Sequence, residues 1–269
     1  MVIDSDLDAP SFSVRTAYYL AHACQAAYLD TLGDWAVELA LGPTADTFQF
    51  GAFHGFVANM ERVSLVAFRG TDNIENWVTD GHTVQVEDKT YPGKVHQGFA
   101  EAMGEIWPGL RERLPAPAGS RPVWVTGHSL GGALATLAAI RLESEGYTVR
   151  AAYTYGSPRV GNLDFYEAYQ PINYRFVNNN DVVPHVPLEF MVLGVRHRGL
   201  VLFRYKHVGT LKYLDRHGHL GEGMSDWDMK KEFTLNALMR SGGTIEPDAL
   251  ADHRIDNYVR AIATNLPSE

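Results

Sequence analysis

One stretch, Val125-Thr126-Gly127-His128-Ser129-Leu130-Gly131-Gly132-Ala133, constrains this chain more than any other. An apolar, β-prone run, Val123-Trp124-Val125-Thr126, leads in, and a helical run from Leu130 to Arg141 leads out. Ser129 therefore falls on a sharp strand-to-helix turn. Gly127 and Gly131 stand on either side of it, where side chains would collide with the crossing backbone. Such a turn holds the Ser129 hydroxyl clear of its neighbours above the edge of a parallel sheet. It also aims the N–H of Leu130, which opens the helix, at any negative charge formed beside the serine.

The rest of the chain supplies the sheet. Phe48 to Val57 and Arg62 to Phe68 read as strands, and the run Val63-Ser64-Leu65-Val66-Ala67-Phe68 is apolar enough to be central. Residues 13–29 read as an amphipathic helix and 99–114 as a second. Then come a strand at 122–126, a helix at 130–145, a strand at 149–155, a short helix near 163–169 and a strand at 173–178. This alternation predicts an α/β fold, a mostly parallel central sheet with helices on both faces. Gly70 to Lys94 reads as polar and irregular. A β-rich piece, Gly199 to Val208, precedes a His-rich polar stretch, and a helix from Arg254 to Asn265 closes the chain. At 269 residues the chain is long enough for one large α/β domain over 1–269 and too short for two with a linker. Its net charge of −9 argues against a nucleic-acid surface. The single cysteine, Cys24, excludes an internal disulfide and sits in an apolar helical stretch as a small buried residue. No run of about 18 apolar residues suggests a transmembrane helix. The acidic N-terminus is not a secretory signal, so the expected location is cytoplasmic, or secreted with the leader absent from this sequence.

An activated serine needs a base to take its proton and an acid to orient that base. Asp181 follows the strand Asn173–Val177 and is the best candidate acid. Asp164 competes, but reads as an N-terminal helix charge. Chain order leaves His185, His197, His207, His217, His219 and His253 as bases. His253 stands out because a loop before the final helix can hang an imidazole over the nucleophile. His207, at a strand end, is its main rival. Thr71, after the strand ending at Phe68, can give its N–H and its hydroxyl to an oxyanion. Residues Asn73 to Asp80 place Ile74, Trp77 and Val78 on one helical face, either as a short lid over 72–82 or as a fixed loop whose Trp77 fills the core.

Six segments then carry a resemblance: Ala67-Phe68-Arg69-Gly70-Thr71, Val95-His96-Gln97-Gly98-Phe99, the turn around Ser129, Thr154-Tyr155-Gly156-Ser157-Pro158-Arg159-Val160-Gly161-Asn162, Asn180-Asp181-Val182-Val183-Pro184-His185-Val186-Pro187 and Asp252-His253. Together they resemble the class 3 lipases, the fungal-type triacylglycerol lipases. The resemblance implies an α/β-hydrolase fold with Ser129, Asp181 and His253 as triad, Thr71 and Leu130 as oxyanion hole, and Ile74, Trp77 and Val78 in a lid. It implies hydrolysis of lipid-like esters, including esters at a lipid–water interface, without metal or cofactor. The alternatives are a short-acyl or feruloyl-type esterase, a phospholipase A1, or a non-catalytic binding protein on the same fold. Glu189 to Ser225 matches none of the family segments, and His217-Gly218-His219 within it reads as a solvated loop rather than a metal site.

Overall fold

The structure, a computed structural model, describes residues 11–41, 45–51, 53–71, 84–119, 121–196, 199–221 and 251–267. Along them run α1 (Val14–Ala26), α2 (Asp34–Glu38), β1 (Asp46–Phe50), β2 (Phe53–Asn59), β3 (Ser64–Phe68), β4 (Gln85–Glu87), β5 (Lys94–His96), α3 (Gln97–Arg113), β6 (Val123–His128), α4 (Leu130–Ser144), β7 (Val149–Tyr155), α5 (Leu163–Ala168), β8 (Asn173–Asn178), β9 (Phe190–Arg196), β10 (Gly199–Arg204), β11 (Thr210–Leu214), β12 (Leu220–Gly221) and α6 (Ile255–Ala263). The main sheet has the order β1-β2-β3-β6-β7-β8-β11-β12. Its centre, β3 through β11, is parallel, and its edges are antiparallel. This is the α/β-hydrolase arrangement.

The central strands carry apolar residues on both faces because both faces are covered. Val66, Phe68, Val123 and Val125 pack with α3 and α4, while Leu65, Ala67, Trp124 and Tyr153 pack with α1 and α6. Helix α4 sits deepest: residues 131–139 are all buried, as expected of a helix with no polar face. Helix α6 is strongly one-sided and turns Tyr258, Val259 and Ile262 inward. The N-cap of α1 is Ser13, whose Oγ accepts from the Thr16 amide. Among the described residues no helix is long and apolar enough to cross a membrane.

Three readings of the chain change at the edges of the sheet. The expected strand from Phe48 to Val57 is a hairpin, β1 and β2, because Gly51 at φ 58° turns the chain and pairs Phe50 with Phe53. Part of the stretch read as irregular, Gly70 to Lys94, contributes β4, which pairs with β5 in a ribbon of its own. The β-rich piece near 199–208 is β10, paired with β9 outside the main sheet. The strand that extends the main sheet is β11, from the stretch read as polar. It is only half covered, so its apolar signal is weak.

Candidate active site

The turn at Ser129 is built by exclusion of side chains. Ser129 takes φ 58°, a left-handed conformation that costs a non-glycine residue free energy and persists only where surroundings impose it. A Cβ on Gly127 would lie 2.0 Å from the Gly131 carbonyl oxygen, and one on Gly131 would lie 2.3 Å from that of Phe68. β6 and the start of α4 can therefore cross, and α4 can press onto the end of β3, only with glycine at both positions. The Ser129 amide donates to Tyr155, and the Ser129 carbonyl accepts from Gly132, which closes the turn. The segment after β3 reaches the same place: a Cβ on Gly70 would be 3.0 Å from the Ser129 Cβ and 2.8 Å from the His128 carbonyl oxygen. That brings the segment leading to Thr71, the third residue after β3, against the serine turn, where Leu130 opens α4.

Asp181 and His253 come together from positions far apart in the chain. Asp181 follows β8 and is wholly buried; His253 precedes α6. The imidazole Nδ1 lies 3.0 Å from Asp181 Oδ1 and 2.9 Å from Oδ2. Two further donors reach the carboxylate, the Val183 amide at 2.9 Å and the Tyr258 hydroxyl at 2.6 Å. Burial pushes the Asp181 carboxyl up, but His253 together with these hydrogen bonds outweighs burial and holds it below the usual carboxylate range. Glycine is needed here too. A Cβ on Gly156 would be 2.7 Å from Asp181 Oδ2 and 2.9 Å from the His253 Nδ1. The loop after Asp181 is clamped from outside: Arg159 donates to the carbonyls of His185 and Pro187.

Ser129 Oγ and His253 Nε2 are both buried, and neither makes a hydrogen bond among the described residues. A hydroxyl and an imidazole nitrogen in that condition are available to a reacting group.

The other histidines go elsewhere. The His207 Nε2 is 2.6 Å from the Pro184 carbonyl, so this nitrogen donates to the backbone of the Asp181 loop rather than facing the serine. Burial, then the charges of Arg175 and Arg159, press its pKa well below the ordinary histidine value. His185 is buried in the same loop. His217 and His219 are held by Asp215, whose Oδ1 accepts both of their amides. Asp164 is exposed in the first turn of α5. Cys24 is buried against Thr126, and burial pushes its thiol up to about 12. Residue His197 and the lid residues Ile74, Trp77 and Val78, with the whole of 72–82, lie outside the described residues.

Sequence reasoning did not single out four residues that the structure packs around the pair. These are Gly156, Tyr258, Tyr28 and His128, whose Nδ1 is 2.7 Å from the Tyr28 hydroxyl and whose Nε2 is 2.6 Å from the His253 carbonyl oxygen. Tyr258 had a signal: it lies on the buried stripe of the closing helix, within two turns of His253. Tyr28 had none, since its partner is 100 residues away.

Comparison with known proteins places this arrangement. Residues 65–191 match the family described as Lipase (class 3). A secreted mono- and diacylglycerol lipase 1 of Fusarium solani is 33% identical over 216 residues, covering 78% of this chain and 60% of that protein. A secreted mono- and diacylglycerol lipase A of Penicillium camembertii is 38% identical over 130 residues, covering 46% of this chain and 43% of that protein. The chain thus spans less than two thirds of the length of either relative. Among solved structures, a triacylglycerol lipase whose catalytic centre is a serine-protease triad superposes with a TM-score of 0.59 at 26% identity, over 78% of this chain and 84% of that one. The glycine-crossed serine turn and the segments around it, followed from β3 to the loop after Asp181, all belong to the stretch that matches the class 3 lipase family.

Proposed function

We propose that this chain is a serine carboxylic-ester hydrolase acting on acylglycerols, with Ser129, His253 and Asp181 as its triad. The observation that carries the reading is the buried Asp181–His253 pair, with His253 Nε2 and Ser129 Oγ making no hydrogen bond among the described residues. Asp181 stays ionised and accepts a hydrogen bond from Nδ1–H, which fixes the tautomer with a bare Nε2. That nitrogen takes the Ser129 proton as Oγ attacks the ester carbonyl. The tetrahedral oxyanion lies against the Leu130 N–H at the start of α4 and against Thr71, through its N–H and its hydroxyl. His253 then returns the proton to the departing alcohol, leaving an acyl group on Ser129. Water repeats the sequence and frees the acid. The reaction needs only these side chains and water.

Its likeness to secreted mono- and diacylglycerol lipases supports glycerol esters as the substrate class and export for this chain. The test is a p-nitrophenyl ester series from acetate to palmitate, run below and above each solubility limit, with mono-, di- and triacylglycerol emulsions alongside. Acylglycerol turnover, with fluorophosphonate label on Ser129, is the expected result. Confinement to soluble short or feruloyl esters makes it an esterase, and acyl release from phospholipid alone makes it a phospholipase A1. A folded protein that refuses the label is a non-catalytic member of the fold.

A further inference from the structure

A second histidine lies against the first. The rings of His128 and His253 are 4.6 Å apart, and His128 is the residue immediately before Ser129. The two ring nitrogens of His128 are both engaged, and their roles follow by counting protons. A carbonyl oxygen only accepts, so the contact with the His253 carbonyl puts the proton of His128 on Nε2. The ring is buried. Burial first, and then repulsion from His253, lower its pKa to about 3, so it carries only that one proton. Nδ1 is therefore a bare lone pair, and the Tyr28 hydroxyl must donate to it. The groups facing the ring are His253, the Tyr258 ring at 6.0 Å, Tyr28, and Asp181 through its charge.

Tyr28 reaches the other half of the site. A Cβ on Gly70 would be 2.4 Å from the Tyr28 hydroxyl, and the Arg69 guanidinium lies over the Tyr28 ring at 5.4 Å. One tyrosine thus touches both the serine turn and the segment that leads to Thr71.

We propose that His128 and Tyr28 are positioning residues: the chain Tyr28 O–H to His128 Nδ1, and His128 Nε2–H to the His253 carbonyl, ties the backbone of the base to the residue beside the nucleophile. The proposal rests on His253 being the base. It explains why a histidine occupies the position before Ser129. A packed apolar residue would fill the volume but would leave the His253 carbonyl without its donor. A positively charged donor there would oppose the positive charge that forms on His253 when it takes the serine proton. The neutral, buried imidazole donates without charge.

The test uses the two amides that imitate the two ring nitrogens. A glutamine side chain reaches the position of Nε2 and an asparagine side chain that of Nδ1. In His128→Gln the bond to His253 survives, and kcat on p-nitrophenyl butyrate falls about threefold. In His128→Asn that bond is lost while the tyrosine keeps a partner, and kcat falls roughly 50-fold or more, the scale of a misplaced catalytic group. KM stays within about threefold in both. Tyr28→Phe, which removes one oxygen, costs kcat roughly fivefold and leaves His128 on the same tautomer. Equal losses in the Gln and Asn variants, or losses that follow their melting temperatures, overturn the proposal. A measurement on the unaltered protein stands beside the variants. With ¹⁵N-labelled histidine, His128 shows a protonated Nε2 and a bare Nδ1 that do not change between about pH 5 and pH 9. Titration in that window, or a proton on Nδ1, overturns it whether or not the variants fold. Fluorophosphonate labelling of the unaltered protein separates the two readings. No label on Ser129 refutes the hydrolase, whereas a labelled enzyme whose Gln and Asn variants behave alike refutes only the positioning chain.

Discussion

The nucleophile side of the site and the base side are built in opposite ways. Around Ser129 the structure is local and steric: a strand, a turn and a helix within a dozen residues, with backbone against backbone at Gly127 and Gly131. Around His253 it is distant and polar. Asp181 lies 72 residues away, Tyr28 and His128 lie further still, and hydrogen bonds rather than contacts between main chains define the geometry. A side breaks by whichever means built it. A methyl group is the more damaging change at the serine turn, and loss of one proton donor is the more damaging change at the base.

The largest effect removes the reacting atoms themselves. Ser129→Ala and His253→Ala should each lower kcat by on the order of 10⁴-fold, roughly 5 kcal/mol of transition-state stabilisation, with little change in melting temperature. Because the two act as a unit, the double variant should be no worse than either single one. Additive losses would show that the two sides work independently, which the triad reading does not allow.

The second effect belongs to the serine side alone. Gly131→Ala puts a methyl group against the carbonyls of Phe68 and Arg69, which are backbone atoms and cannot swing away. The expected loss is about 3 kcal/mol or more of stability, with activity falling in step. Gly119→Ala is the opposite case and serves as the control. Gly119 has a positive φ, 72°, which Gly131 lacks, but its Cβ meets nothing within 4 Å, so only conformational strain of about 1 kcal/mol is expected. Similar costs at the two sites, by denaturant titration, would remove the steric account of the turn.

How much of this could be read from the chain follows the same division. The serine turn was legible because its signal is contiguous, and the central strands were legible because burial on both faces makes them uninterrupted apolar runs. Asp181 could be read from its place after a strand. His253 could be favoured over His207 by position, and the resemblance to a family chose between them. In the structure His253 touches Asp181, while His207 faces Pro184. Tyr28 was not legible as part of the site, because a hydrogen bond across 100 residues leaves no spacing to detect; Tyr258 carried only the buried stripe of the closing helix, which does not reveal a bond to Asp181 across 77 residues. The sheet edges were misread for a related reason. In β11 only Tyr213 and Leu214 are buried, and a strand half in water has half the apolar signal.

The third effect tests the base side. Tyr258→Phe removes the hydroxyl that donates to Asp181 Oδ2 and accepts from the Asn178 amide, leaving both without that partner. A buried hydrogen bond to a charged group contributes about 1.5–3 kcal/mol, so kcat should fall roughly tenfold at nearly unchanged KM. An equal fall in kcat and rise in KM would place Tyr258 in substrate binding instead.

The smallest effect concerns the two histidines set against each other from the start. His207 is buried and uncharged, and its folded-state pKa lies well below the ordinary 6.5, with burial the main cause. The unfolded chain therefore takes up a proton near pH 6.5 that the folded chain refuses. The sign follows: unfolding gains protons, so stability falls as the pH drops below about 6.5, by at most about 1.4 kcal/mol per pH unit for each such histidine. His128, lowered to about 3, adds to the same slope, and the partly buried His22 adds less. Asp181 is silent in this window, because its depressed carboxyl withdraws stability only below the ordinary carboxylate value of 3.8. His207→Gln replaces a titrating group by one that does not titrate, while its amide can still donate to the Pro184 carbonyl from the position of Nε2. Urea titrations from about pH 6.5 to pH 4.5 should thus show a shallower fall in stability for His207→Gln than for the unaltered protein. Turnover at pH 8 should drop by less than about threefold, against the roughly 10⁴-fold loss in His253→Ala. A collapse of kcat in His207→Gln with the pH slope unchanged would exchange the roles of the two residues. It would make the contact between His253 and Asp181 a structural one.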